Sequence, residues 1–190
     1  MRVALGLKAR TGRAVLVAIG GDVREPRFIE RSQMPLLPAG AFAPYHAAEG
    51  LEPEKARESV KESVAAAHRL AEQGIRQALK RIQGEPCGCA VLVGNGMPKW
   101  STEEILAVHV RMHQAEGELF REVLVAGARS CGLALTTLPD KSALDAAAKK
   151  LGMTPAQLDA TLRAFGKSTG APWGKDQKEA AAAALVALKA

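Results

Sequence analysis

The stretch RVALGLKARTGRAVLVAI, residues 2–19, decides how the fold is read. Two apolar, β-branched-rich runs, RVALGL (2–7) and AVLVAI (14–19), flank the polar segment KARTGR, with Gly12 near its centre. Apolar runs of strand length around a short glycine-containing turn predict a β-hairpin. Residues 27–34 (RFIERSQM) add a third, more polar strand, placed near a sheet edge. Three consecutive strands therefore open the chain.

Residues 35–52 (PLLPAGAFAPYHAAEGLE) carry three prolines and two glycines and read as a long loop or lid. Pro53 then suits the first position of a helix. Val60, Val64, Ala67, Ala71, Ile75, Ala78 and Ile82 recur on one helical face, and Gly84 ends the pattern. Residues 89–94 (CAVLVG) form a continuous apolar run, as in a strand covered on both faces. Ser101 and Glu104 form a capping box that starts a helix running to Gly132. Residues 133–138 (LALTTL) are a fifth strand. Residues 141–170 add an extra helical segment, which includes a cap at Thr154 and Pro155. The last helix covers 175–189, where the alanine run 180–184 reads as compositional bias.

The order is β-β-β-α-β-α-β-α. It predicts an α/β domain over residues 1–190, with helices on both faces of a mixed five-stranded sheet. The fourth and fifth strands are each reached through a long helix, so both are expected to run parallel to the first. The chain has 190 residues, 47% hydrophobic and 24% charged, which excludes a disordered or fibrous protein. No apolar run reaches the roughly 20 residues of a membrane span. MRVALGLKARTGR turns basic where a secretion signal stays apolar. With three cysteines (Cys87, Cys89, Cys131), this leads us to expect a reducing, cytoplasmic setting.

The order resembles the ribonuclease H-like superfamily, and within it the RuvC-type Holliday-junction resolvases. VALGLKARTGRAV (3–15) resembles the family's first strand and turn. AVLVGNGMP (90–98) resembles its fourth strand and the turn after it, and DQKEAAAAALVAL (176–188) its last helix. The resemblance implies a cluster of at least three carboxylates holding Mg2+ or Mn2+ for phosphodiester cleavage. Carried over residue by residue, the first-strand aspartate falls on Lys8 and the fourth-strand acid near Asn95. The final-helix acid falls on Asp176 or Glu179, the two candidate catalytic residues. A lysine in place of the central aspartate repels a metal, so no metal ligands are assigned at this site. A displaced site would draw on Glu116, Glu118 or Glu122 with Asp140 and Asp176.

The net charge is +6, and Arg2, Lys8, Arg10 and Arg13 meet no acid before Asp22. Trp100 and Trp173 each lie in a proline-containing loop beside a lysine, Lys99 and Lys175. An aromatic ring flanked by cations suits base stacking with phosphate contacts, and it equally suits a loop anchor. Lys8, Arg10, Arg13, Lys99, Trp100, Trp173 and Lys175 are thus the candidate nucleic-acid contacts. Gly166-Lys-Ser-Thr looks like a phosphate loop, but Thr161 stands where the pattern needs glycine. His109 and His113, four apart on a helix, could share one metal, yet they lack the glutamate of a zinc-protease helix.

Three functions compete at this level. The first is a non-catalytic or atypical nucleic-acid-binding member of the superfamily. The second is a metal-dependent nuclease with displaced ligands, which leaves enzyme status open. The third is a scaffold that forms homo-oligomers without a ligand.

Overall fold

The computed structural model describes residues 1–190, and its core is organised by one five-stranded sheet in the order β3-β2-β1-β4-β5. The strands are β1 (Arg2–Arg10), β2 (Arg13–Asp22), β3 (Glu25–Pro35), β4 (Glu85–Val93) and β5 (Leu135–Pro139). β1, β2 and β3 pair antiparallel, β4 pairs parallel to β1, and β5 pairs parallel to β4. The mixed sheet, the parallel fourth and fifth strands and the edge position of β3 all follow the sequence expectation.

The hairpin is tighter than its sequence suggests. Arg10 pairs with Arg13, so only Thr11 and Gly12 turn the chain. Gly12 has φ +70°, a conformation that glycine adopts without steric cost.

Strand alternation divides the core in two. On one face of the sheet lie Ala4 of β1, Val15, Val17 and Ile19 of β2, and Ala90 and Leu92 of β4. On the other lie Val3, Leu5 and Leu7, with Ala14, Leu16 and Ala18, and Cys89 and Val91. The second face is covered by α2 (Pro53–Arg81) and α4 (His109–Ser130), through Ala67, Ala71, Ile75, Phe120, Val123 and Leu124. The first face is covered by α7 (Lys175–Lys189), with α5 (Ala143–Leu151) and α6 (Pro155–Thr169) outside it.

Two local expectations change, and one motif set aside in the sequence is resolved. The lid contains a short helix, α1 (Pro44–Ala48). The helix expected from Ser101 is two, α3 (Thr102–Leu106) and α4, broken at Val108, whose φ −140° and ψ 110° are extended. α6 runs through Thr169, so Gly166, Lys167 and Ser168 are helical and form no phosphate loop.

The last helix packs its alanines and leucines on the sheet, as the family resemblance implies: Ala180 to Ala184 are all fully buried, at the centre of the first core. Small side chains let the helix lie close on the sheet. A Cβ placed on Gly6 would stand 1.8 Å from the Ala180 carbonyl oxygen and 2.6 Å from the Ala184 nitrogen.

Candidate functional site

Period-two alternation carries β1 from Ala4 through Gly6 to Lys8 on the face that α7 covers. Lys8 is therefore inside, at 3% exposure, where the sequence reading had placed a phosphate contact. Its ammonium donates to Asp140 Oδ1 at 2.8 Å and to Glu179 Oε2. Asp140 follows the end of β5, and Glu179 lies on the second turn of α7, itself buried. Arg121 of α4 donates to the other Asp140 oxygen at 3.0 Å and stands 3.7 Å from Glu118. One turn before Glu179, Asp176 takes both prongs of Arg10. Lys175, exposed, approaches Glu179 Oε1 at 3.8 Å.

The carboxyl ends of the parallel strands thus carry converging acids, each already matched to a cation. Burial pushes the Asp140 carboxyl up. Hydrogen bonds from Lys8 and Arg121 outweigh that and hold it below its ordinary 3.8. The Arg10 hydrogen bond holds Asp176 below the same value. A carboxyl whose native pKa is depressed stabilises the fold above its unfolded value, and that contribution is lost as pH falls through the native value. Asp176→Asn is therefore expected to lower the urea midpoint at pH 7, with the gap to wild type closing as pH falls below about 4. A gap that persists unchanged to pH 2 would show that ionisation of Asp176 has no part in it.

The displaced carboxylate site is not assembled. Glu116 is buried and holds His46 instead. Glu118 and Asp140 are bridged by Arg121, and Asp176 is held by Arg10. Asn95, Glu118, Arg121, Asp140 and Lys141 line an open cleft of about 530 Å³ beside the Lys8 network. The residues present do not fit a divalent cation between Asp140 and Glu179, because a fixed ammonium stands there and both acids are spent on it.

The other candidates separate. Arg10 is engaged with Asp176. Arg13 and Lys99 are exposed and have no ion-pair partner, and Lys175 is exposed and meets only Glu179, at 3.8 Å. Trp173 is an anchor: its indole N–H donates to the Leu162 carbonyl at 2.9 Å, and its ring meets Phe28 and Phe165 edge-on. Arg31 clamps the same loop through the carbonyls of Gly170, Ala171 and Pro172. Trp100 is half-buried against Ile105 and Met112, with the Arg111 guanidinium 4.8 Å from its ring centre. Burial pushes the Cys89 thiol up to about 12, which makes it a core side chain and not a nucleophile.

Two participants escaped the sequence reading. Arg121 looked like any cation on a helix surface. His46 sits in the proline-rich lid, and the structure brings it to the His109–His113 pair.

No protein-family profile and no curated protein matches this chain. Among solved structures it is similar to Thermus thermophilus RuvC in complex with a Holliday junction substrate. That match has 16% identity and a TM-score of 0.50, and covers 98% of this chain and 92% of the other. A second Thermus thermophilus RuvC structure matches at 13% identity, covering 97% and 92% of the two chains, also with a TM-score of 0.50. The fold is therefore ribonuclease H-like. Over nearly the whole chain the arrangement of elements is similar to that of RuvC.

Proposed function

We propose that this protein binds nucleic acid along the carboxyl edge of its parallel strands and lacks the carboxylate–metal cleavage chemistry associated with the fold. The observation that carries this reading is the buried Lys8 ammonium held between Asp140 and Glu179. A cation is needed there to hold the acids together, and the chain supplies its own. Around the same edge Arg13, Lys99 and Lys141 are exposed, and so is Lys175, whose one ion-pair contact is the 3.8 Å approach to Glu179; such exposed cations suit phosphate. The similar RuvC structure holds a Holliday junction substrate, which supports nucleic acid as the partner class. The three free thiols suit a cytoplasmic setting.

The test is an anisotropy titration on labelled four-way junction, duplex and single strand at two salt concentrations. Binding should be sequence-independent and weaken steeply with salt. The double variant Lys99→Ala/Lys175→Ala should bind all three more weakly, with a salt slope flatter by about two. No binding at low salt would overturn the proposal. Incubation with Mg2+ or Mn2+ should leave the junction intact. Metal-dependent turnover that Asp140→Asn abolishes would overturn the non-catalytic half.

Trp173→Ala separates stacking from anchoring. The ring is half-buried, so the loss should be about 2 kcal/mol, below the roughly 3–5 of a fully buried ring, with affinity unchanged. A weaker affinity at unchanged melting temperature would restore the stacking role.

A further inference from the structure

The break between α3 and α4 places His109 at the first position of α4. His109, His113 and Glu116 then follow at i, i+4 and i+7, one stripe on one face of the helix. The lid lies against this stripe. α1 presents His46 to it, and one nitrogen from each of His46, His109 and His113 falls within 4.8 Å of the others. The Nε2 atoms of His109 and His113 are 3.1 Å apart. Two nitrogens bound at about 2.0–2.1 Å to one tetrahedral zinc ion lie roughly 3.3–3.4 Å apart, so this spacing is already close to that of a ligand pair.

Glu116 gives the cluster its direction. It is 3% exposed and accepts from the backbone N–H groups of Tyr45 and His46, each at 3.1 Å. The same carboxylate meets His46 Nδ1 at 2.8 and 3.0 Å. An ionised carboxylate only accepts, so a proton sits on His46 Nδ1, and Nε2 is the nitrogen left for a metal ion. A buried carboxylate orienting an imidazole by its far nitrogen is the outer-shell arrangement of histidine-bound metals. A single divalent ion can take one nitrogen from each of the three rings, which the fold already brings together.

We propose that His46, His109 and His113 bind one divalent transition-metal ion of the zinc type, with Glu116 as the positioning residue behind His46. Three nitrogen ligands suit zinc, cobalt or nickel rather than magnesium. His109 and His113 are exposed, so the fourth position is open to water. The ion fastens the lid, residues 35–52, to α4. His113 also lines the cleft beside Asp140 and Arg121, so the fastening lies at the mouth of the candidate site. This site is separate from the Lys8 network, and its occupancy does not depend on nucleic-acid binding.

The test uses the full chain, stripped with chelator and titrated with zinc chloride by calorimetry and with cobalt chloride by visible absorption. One equivalent should bind, and cobalt should develop the intense absorption band of a four-coordinate site. His109→Ala and His113→Ala remove exposed side chains and should melt like the stripped wild type. Each should weaken binding by more than the roughly 10–100-fold that loss of an outer-shell partner costs, and Glu116→Gln should fall in that range. Zinc should also slow hydrogen exchange of the amides of residues 44–48 in the wild type and not in His113→Ala. Absence of stoichiometric binding, or zinc held equally well by the His109→Ala/His113→Ala double variant, would overturn the proposal.

Discussion

Gly6→Ala is expected to destabilise the protein by about 4 kcal/mol or more, at the far end of single-residue effects. The added Cβ would stand 1.8 Å from the Ala180 carbonyl oxygen and 2.6 Å from the Ala184 nitrogen. Both are backbone atoms of α7, so no rotamer change makes room. The helix must lift from β1, β2 and β4 together, and it carries a continuous buried stretch from Glu179 to Leu188. For a chain of this size each kcal/mol moves the melting temperature by about 2–4 °C, so a drop of about 8–16 °C is the expected reading. A melting temperature within about 2 °C of wild type would show that α7 does not rest on Gly6 as described.

Lys8→Ala carries the second large effect. It removes the closer, buried cation from Glu179 and leaves Lys175 3.8 Å away and in solvent. Asp140 keeps Arg121. Removing one partner of a buried pair costs about 3–5 kcal/mol, chiefly because the other charge stays buried without compensation. Denaturant unfolding should show that loss in Lys8→Ala. The double replacement Lys8→Met/Glu179→Leu, which takes away both charges and keeps volume, should recover most of it. If the single variant is as stable as wild type, the ion pair is not the internal cation that the functional reading requires. The recovery in the double variant separates an electrostatic loss from a packing loss at the same position.

The candidate site was half legible. Lys8 standing where the resembled family has an acid could be read from VALGLKARTGRAV alone, and so could Asp176 and Glu179 at the start of the last helix. What Lys8 does there could not. A lysine in a basic N-terminal stretch reads as solvent-facing, and its interior position follows only from the register that puts it in line with Ala4 and Gly6 under α7. Trp173 was ambiguous for the same kind of reason. Its partners Phe28, Phe165 and Leu162 come from β3 and α6, and no spacing in the sequence joins them. The histidine cluster was visible as a pair, since i and i+4 share a helix face. His46 comes from a lid more than 60 residues earlier, which no local pattern links to α4.

Local chemistry determined the element order. Apolar runs of strand length, the capping boxes at Ser101 and Thr154, and Gly12 in the hairpin turn each act over a few residues. Parallel pairing of β4 and β5 followed too, because a long helical connection leaves the chain at the far end of the sheet. The tertiary structure alone decided which side chains are enclosed and what they meet there. It set the alanine run of α7 directly over Gly6, since only a helix with small side chains can lie that close to the strand. It also made Lys8 an internal cation, because a charge enclosed by packing must find opposite charge within reach, and Asp140 and Glu179 arrive there from β5 and α7.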